Sequence, residues 1–426
     1  MIDRLQLAHA DDGTDTTVTG RTLGRGLAAL SISLLALSCS SAPPPPETGT
    51  NLPPLDPARQ EVHLPAAPGW QASLVIDNGE VGIWTVGTLD AFTLYGCPDI
   101  FGLDDRGRCI LLSSYSGKWT PHYTVEDGAW LGALQQLDLD PAVAGREIYA
   151  GGQRGNLIQI VPLREGGFDV RTIARFAAEE IHTLVGGDLR PEGAGAELLV
   201  FTHRGETYLM TPDGRGGFDA SLVGNLNARV RQATLLPQEV NERPWIAAVC
   251  RNGEVVLLRL GPDGLEKRVI LSEPMGFGRL ALRPGTQPGE AHVLYVTRDD
   301  GLVLRLQGRP EGGTWQREIV YAGPQGPRGL ATGRFDPDPQ VETVAVFGYS
   351  GKVQLLSRPP GSTWEATTLF VDRDKGHWLA AAELDGRNGT DELIASGYGG
   401  RIVLLSCAPG TGLAGVPTDP DPALRP

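Results

Sequence analysis

Residues 342–359, ETVAVFGYSGKVQLLSRP, decide the fold of this chain. Two short runs rich in β-branched and other apolar residues flank Gly351, and this pattern predicts a β-hairpin with a tight turn. The same arrangement recurs six more times along the 426 residues. The seven turn glycines are Gly107, Gly155, Gly205, Gly253, Gly301, Gly351 and Gly400.

The spacing of these glycines indicates copies of one structural unit. Consecutive glycines lie 48, 50, 48, 48, 50 and 49 residues apart. Each unit has a strand-like run before the hairpin and another after it that opens on an aromatic or apolar residue. Four antiparallel strands in such a repeat are typical of one blade of a β-propeller. The residues that open the fourth strands are Trp119, Phe168, Phe218, Leu265, Trp315 and Trp364.

The seventh unit has no fourth strand at the C-terminal end of the chain. A matching run, WQASLVID, occupies residues 70–77 near the N-terminus and is similar to WQREIVYAG, which begins at Trp315. An N-terminal strand that completes the last blade closes the ring and leaves no exposed sheet edge. The sequence therefore predicts an all-β fold, a seven-bladed β-propeller of four-stranded antiparallel blades closed by an N-terminal strand in the last blade.

The first 60 residues have the composition of a targeting segment and a spacer. Arg21 and Arg25 precede an uncharged run over residues 26–38, which is too short to span a bilayer. The run ends in LALSC, which resembles a bacterial lipobox with Cys39 as the acylated residue. Prolines favour an extended spacer after it. We predict a lipoprotein signal peptide over 1–38, a tether over 39–60, the propeller over 61–410 and a flexible tail over 411–426.

This organisation predicts an exported protein, a periplasmic or cell-surface lipoprotein held at the outer membrane by its lipid anchor. Plain secretion is the alternative. Acidic residues at positions 11, 12 and 15 are unusual for a signal peptide and leave the translation start open. The net charge of −14 argues against nucleic acid as a partner, because binding phosphates needs a basic surface. We expect a monomer.

The loops before the hairpins resemble those of the FG-GAP/VCBS class of propeller repeats. The nearest match to its D-x-D-x-D-G-x-x-D-L loop is AELDGRNGTDEL, residues 382–393. The resemblance covers nearly all of the mature chain, through degenerate motifs. In that family such loops often hold Ca²⁺. Asp385 and Asp391 fit, but Arg387 occupies a ligand position and Asn388 replaces the glycine. We therefore expect loops without structural calcium, and no cofactor or other metal.

No standard catalytic motif is present: the sequence has no P-loop, H-E-x-x-H, C-x-x-C or G-x-S-x-G. Cysteine pairing stays open. Cys97 and Cys109 are candidates for a disulfide in an oxidising compartment. The hairpin around Gly107, however, places Cys109 opposite Leu103. The remaining two cysteines are Cys250, inside an apolar strand, and Cys407.

The repeat alignment gathers basic and aromatic residues on one face of the predicted ring. The innermost strand of each blade starts 22 or 23 residues before its turn glycine, and the hairpin turns lie on the same face. Five of the seven inner positions are histidine or arginine. The inner positions are Trp84, Gly132, His182, Arg231, Arg279, Arg328 and His377. The turns add His203, Arg204, Tyr349 and Tyr398.

The histidines, arginines and tyrosines of this face are the candidate ligand-binding residues. The favoured hypothesis is a binding or scaffolding protein that engages an anionic glycan or protein partner through focused electrostatics and arginine contacts. The alternative hypothesis is a lyase or hydrolase of an acidic glycan, with a histidine or tyrosine as base and an arginine neutralising the acid group. A third is a structural role in which the face consists of solvated turn tips.

Two structural criteria separate these hypotheses. An even ring of arginines favours binding, whereas a histidine and a tyrosine within ~6 Å of each other beside an arginine favour catalysis. His182 and His377 belong to blades three and seven, so we expect no metal shared between them without a third ligand.

Overall fold

All regular secondary structure in the described part of the chain is β-strand. The computed structural model describes residues 62–79, 81–89, 98–113, 119–163, 167–176, 179–193, 195–237, 242–285, 290–384 and 389–407. Within these ranges, no helix has the length and apolar character to cross a membrane. The predicted signal peptide, tether and tail lie outside the described residues, as do Cys39 and Cys97 and the propeller boundaries at 61 and 410.

The strands form seven antiparallel sheets, which are the predicted blades. Strands β1 (His63–Leu64) and β2 (Trp70–Asp77) belong to the last of them. Blade one holds β3 (Ile83–Leu89), β4 (Asp99–Asp104), β5 (Arg108–Ser113) and β6 (Thr120–Glu126). Blade two holds β7 (Leu131–Leu137), β8 (Glu147–Gly152), β9 (Asn156–Pro162) and β10 (Phe168–Arg175). Blade three holds β11 (Ile181–Gly187), β12 (Glu197–Thr202), β13 (Glu206–Pro212) and β14 (Phe218–Asn225).

The other four blades repeat this order. Blade four holds β15 (Val230–Leu235), β16 (Ile246–Cys250), β17 (Glu254–Gly261) and β18 (Gly264–Ser272). Blade five holds β19 (Phe277–Arg283), β20 (His292–Arg298), β21 (Leu302–Gly308) and β22 (Gln316–Ala322). Blade six holds β23 (Pro327–Thr332), β24 (Glu342–Gly348), β25 (Lys352–Arg358) and β26 (Glu365–Val371). Blade seven adds β27 (Gly376–Ala382), β28 (Glu392–Gly397) and β29 (Arg401–Cys407).

The blades form a closed ring, and the N-terminal strand completes it as predicted. The first strands of neighbouring blades contact one another all the way round, and β27 contacts β3. Strand β2 pairs antiparallel with β29, with Trp70 opposite Cys407 and Asp77 opposite Arg401. Because β2 and β29 pair in one sheet, the ring closes through main-chain hydrogen bonds.

Glycine is required at the seven hairpin turns because each adopts a positive φ, between 68° and 110°. Side chains other than glycine rarely tolerate this conformation. The same turns explain the repeat signal in the sequence. The hairpin around Gly107 also places Cys109 opposite Leu103, as the sequence predicted.

The hydrophobic core lies between the blades. The described residues contain seven buried apolar clusters, each formed by two neighbouring blades. One cluster packs Ile83 of blade one against Ile402 of blade seven. Burial raises the thiol pKa of Cys109, and raises that of Cys250 to about 12, so both behave as core residues. Apolar side chains on the facing surfaces of neighbouring blades therefore form the core.

Buried glutamates bind backbone amides in the loops that resemble FG-GAP repeats. Each glutamate begins the second strand of its blade and accepts a hydrogen bond from a leucine amide in the preceding loop. These bonds join Leu139 to Glu147 (2.9 Å), Leu189 to Glu197 (2.9 Å) and Leu384 to Glu392 (2.7 Å). Asp391, which fits a ligand position of the family's loop motif, accepts a hydrogen bond from the amide of Arg334 (2.6 Å), and residues 385–388 lie outside the described residues.

Candidate functional site

A cavity of about 230 Å³ opens at the axis of the ring, and all seven predicted inner positions line it. Each is the second or third residue of the first strand of its blade. Described lining residues beyond these seven are Thr85, Trp130, Arg229, Tyr349, Trp378 and Tyr398. The structure thus brings together seven of the nine predicted ligand-binding residues. Their binding of a ligand stays a prediction.

Three positions of the repeat build most of this site. They are the inner position, the residue two places before it, and the turn residue two places before the turn glycine. Alternate residues of an extended chain point to the same side, so the residue two places upstream joins the inner position. Trp130 and Arg229 occupy this upstream position in blades two and four. The sequence analysis missed both, although the period-two rule was sufficient to find them.

One wall of the cavity is basic and comes from blades four, five and six. It contains Arg229, Arg231, Arg279 and Arg328, and the described lining residues include no aspartate or glutamate. Asp299 lies beside them and accepts hydrogen bonds from Arg231 and Arg328, both 2.7 Å long. One carboxylate is thus shared between two guanidinium groups, and the arginines outnumber it.

Arg279 is the most buried of these arginines, with 7% of its surface exposed. Its Nη1 donates to the carbonyls of Gly278 (3.2 Å) and Arg231 (3.3 Å), and its guanidinium lies 4.1 Å from the ring centre of Trp378. Its Nε has no hydrogen-bond partner among the described residues. Burial first, and then the charges of Arg328 and Arg231, lower its pKa to about 9.

The opposite wall is a continuous series of aromatic rings from blades six, seven, one, two and three. Neighbouring ring centres lie 4.5–6.1 Å apart. Within it Trp84 and Trp130 are stacked, with 5.4 Å between centres and 25° between planes. The order along the wall is Tyr349, Tyr398, His377, Trp84, Trp130 and His182. The cavity is therefore basic on one side and aromatic on the other, which the sequence analysis did not predict.

Where the two walls meet in blades six and seven, a histidine and two tyrosines lie beside an arginine. The ring centres of His377 and Tyr398 are 5.4 Å apart, and Nε of Arg328 donates to the hydroxyl of Tyr349 (3.4 Å). Burial raises the pKa of Tyr349, but hydrogen bonds from Arg328 and Tyr398 outweigh it, so the pKa is lowered. Burial, followed by the hydrogen bond to Tyr349, raises the pKa of Tyr398.

His377 is buried and neutral. Burial and then the charge of Arg279 hold its pKa well below the usual range. Its Nδ1 lies 2.7 Å from the carbonyl of Trp84, so Nδ1 carries the proton and Nε2 is an acceptor. The criterion for catalysis, a histidine and a tyrosine within ~6 Å beside an arginine, is therefore met in these two blades. The lining arginines lie on one wall and do not form the even ring that was the criterion for binding.

His182 and His203 meet in blade three together with Glu180, which the sequence analysis did not select. The Glu180 carboxylate lies 3.1 Å from Nε2 of His182 and 2.9 Å from Nδ1 of His203. Burial and the nearby Arg229 lower the pKa of His182 to about 3. His182 also lines the cavity, whereas His203 is half exposed beside it.

Arg204 is a predicted site residue that does not line the cavity. Its side chain is 75% exposed, pairs with Glu179 at 2.9 Å and is not among the lining residues. Its role as a ligand contact stays a prediction.

Comparison with solved structures identifies similar folds. The chain resembles the WD40 β-propeller domain of Doa1, with a TM-score of 0.53 and 12% identity over 82% of this chain and 97% of that chain. It also resembles BBS1N, solved in complex with ARL6DN, with a TM-score of 0.55 and 13% identity over 81% of this chain and 98% of that chain. At these identities the likeness shows the fold alone. The protein is a seven-bladed β-propeller.

No family model matches the chain, and no curated protein matches it.

Proposed function

We propose that this protein is a membrane-tethered, extracytoplasmic β-propeller of FG-GAP/VCBS type that binds an acidic glycan at its axial cavity. The observation that carries the proposal is Arg279, a cation that lines the cavity, is only 7% exposed and has no ion pair among the described residues. A buried charge without a partner costs several kcal/mol. A carboxylate or sulfate in the cavity supplies that partner.

The two walls favour a sugar over other anions. Arginines hold a carboxylate or sulfate through charge-assisted hydrogen bonds. Stacked tryptophans such as Trp84 and Trp130 offer apolar faces to the carbon–hydrogen side of a sugar ring. A cavity of about 230 Å³ is smaller than a site for a drug-sized ligand, for which about 300–1,000 Å³ is usual. We therefore assign it to one acidic residue or the acidic end of a glycan. The proposed lipid on Cys39 holds the propeller where such polymers occur.

The test is a glycan-array screen of the mature domain at two salt concentrations. Glycans that carry uronic acid or sulfate are expected to bind, and more weakly at the higher salt concentration, because salt screens the arginine charges. The double variant Arg279→Ala with Arg328→Ala is expected to lose at least about 100-fold in affinity, since each charged hydrogen bond contributes about 1.5–3 kcal/mol.

The matched control removes two arginines away from the cavity, Arg146→Ala with Arg215→Ala, both of which are exposed. This variant is expected to bind like the parent protein. Equal losses in both double variants would show that net charge, not the cavity, causes binding. Selective binding of an acidic protein, with no glycan bound, would replace the glycan by a protein partner.

A second candidate function, glycan lyase, is favoured by the cluster of Tyr349, Tyr398, His377 and Arg328. A lyase removes a proton beside a uronate carboxylate, expels the neighbouring glycosidic oxygen and leaves a carbon–carbon double bond. Tyr349, with its lowered pKa, suits the base, Tyr398 suits the acid, and Arg328 suits the carboxylate.

The measurement for this candidate is the ultraviolet absorbance of the unsaturated product after incubation with a bound polyuronate. We expect Tyr349→Phe to abolish product formation with binding retained, while Tyr123→Phe, an exposed tyrosine on the outer strand β6, keeps full activity. Absence of product from a glycan that binds would leave binding as the function.

A further inference from the structure

Three potential metal ligands in blade three form a compact triangle. The atoms are Oε2 of Glu180, Nε2 of His182 and Nδ1 of His203. Their separations are 3.1 Å and 2.9 Å from the carboxylate to the two imidazoles and 3.2 Å between the imidazoles. If each imidazole donates its proton to the carboxylate, two of the three contacts are hydrogen bonds. The third contact then brings the two N–H groups of the imidazoles together, which is unfavourable. A cation about 2 Å from each atom, to one side of the plane of the triangle, accepts all three lone pairs.

The separations match the coordination sphere of a small divalent ion. Ligand atoms about 2.0–2.2 Å from one divalent ion lie about 2.8–3.1 Å from their neighbours in octahedral geometry and about 3.3–3.6 Å apart in tetrahedral geometry. The measured separations of 2.9, 3.1 and 3.2 Å are close to the octahedral spacing, and a small opening of the triangle reaches the tetrahedral spacing. Two histidines and one glutamate are also the ligand types of catalytic zinc sites, which keep further positions open.

The sheet fixes the triangle before any ion binds. Ile181 and Thr202 are a ladder pair between β11 and β12. Glu180 and His203 are the next residues beyond that pair, and the amide of His203 donates to the carbonyl of Glu180 (2.8 Å). His182 follows on the same strand as Ile181. Ligands held by paired strands lose little conformational entropy on binding an ion.

Only blade three carries this combination at the three repeat positions that build the axial site. The equivalent triplets in the other six blades are Gly82, Trp84 and Asp105; Trp130, Gly132 and Gln153; Arg229, Arg231 and Arg251; Phe277, Arg279 and Asp299; Gly326, Arg328 and Tyr349; and Lys375, His377 and Tyr398. Within the residues that the structure describes, the triangle of blade three is also the one group of three such ligands close enough to share an ion.

We propose that Glu180, His182 and His203 bind one divalent transition-metal ion of the zinc type at the edge of the axial cavity. His182 lines the cavity, and His203 is half exposed, so water or a group on a ligand completes the coordination sphere. Nη1 of Arg229 lies 3.5 Å from Nε2 of His182, which weakens the site but places a cation where an anion on the metal is neutralised. This inference does not rest on the proposed glycan binding.

The experiment is calorimetric titration of metal-free protein, prepared without a polyhistidine tag, with Zn²⁺. We expect one ion per chain with a Kd in the micromolar range or below. Co²⁺ is expected to give visible absorption bands of a nitrogen- and oxygen-ligated ion. His203→Ala and Glu180→Gln are each expected to weaken zinc binding by at least about 100-fold, because each removes one of three protein ligands.

The control is His63→Ala, which removes an exposed histidine on β1 outside the cluster and is expected to leave zinc affinity unchanged. Thermal unfolding of each variant confirms that the propeller is folded. A Kd for the parent protein weaker than about 1 mM, or equal affinities for the parent and His203→Ala, overturns the proposal. Because the titration contains no glycan, its outcome is separate from the test of glycan binding, which is run with chelator present.

Discussion

Replacing Arg279 by methionine is expected to stabilise the free protein slightly and to remove its stabilisation by an anion. The lowered pKa of Arg279 corresponds to roughly 5 kcal/mol against the charged side chain in the folded state. Methionine removes this penalty and fills a similar volume. It also loses two hydrogen bonds to carbonyls, about 1 kcal/mol each, and a contact with the ring of Trp378 of about 2 kcal/mol.

The expected net change is a gain of about 1 kcal/mol, within the neutral-to-stabilising range known for buried charges replaced by apolar side chains. For a domain of this size that gain raises Tm by about 1–3 °C. The assay is thermal unfolding with and without sodium glucuronate. At 100 times its Kd, glucuronate stabilises the parent protein by about 2.7 kcal/mol. The variant is expected to show little of this effect.

Two results would refute the reasoning. A fall in Tm of more than about 5 °C in Arg279→Met would mean that the guanidinium is structurally satisfied. Equal stabilisation of the variant and the parent by glucuronate would mean that the anion binds elsewhere. Arg146→Met is the control, because its exposed side chain tests the same substitution away from the cavity.

Three further predictions concern the anchor, the blades and the metal. Cys39→Ser is expected to release the protein from the membrane fraction, and retention after a high-salt wash would place the anchor elsewhere. Burial opposes ionisation of Glu342, but hydrogen bonds from Tyr295, Arg305 and Arg358 lower its pKa to about 2. The ionised Glu342 therefore stabilises the folded state fully above the ordinary glutamate pKa, and this contribution is lost as the pH falls towards 2. Glu342→Gln should reduce the dependence of the free energy of unfolding on pH in this range. An unchanged dependence would contradict the prediction. Arg229→Gln removes a cation beside the metal site and is therefore expected to tighten zinc binding about tenfold, measured by calorimetric titration. Weaker zinc binding in this variant would count against the metal site.

The repeat positions made most of the axial site predictable. Turn glycines at a fixed period locate the inner strands, and the count back to His182, Arg279 and His377 placed each residue on the cavity wall. The count could not reveal which way the remaining polar groups point. Asp299, on a turn of blade five, pairs with arginines of blades four and six, and this contact depends on the closed ring.

The repeat period alone did not identify the proposed metal ligands. His182 was compared with His377, because both occupy the same repeat position, whereas its actual partners are Glu180 and His203 of its own blade. Strand pairing between β11 and β12 brings His203 beside Glu180 across 23 residues of sequence. The signal available in the sequence was that blade three carries metal-ligand residue types at all three repeat positions: Glu180, His182 and His203.

The sequence by itself determined the number of blades, the strand order and the closure of the ring by Trp70–Asp77. These features follow from local chemistry: positive-φ glycine turns, alternating apolar strands and a missing last strand. Only the tertiary structure decided that arginines and aromatic rings occupy opposite walls of one cavity, and that Arg279 is buried without a carboxylate. Those properties depend on side chains from different blades meeting at the axis, where distances and burial are set by ring closure and are not encoded in any single repeat.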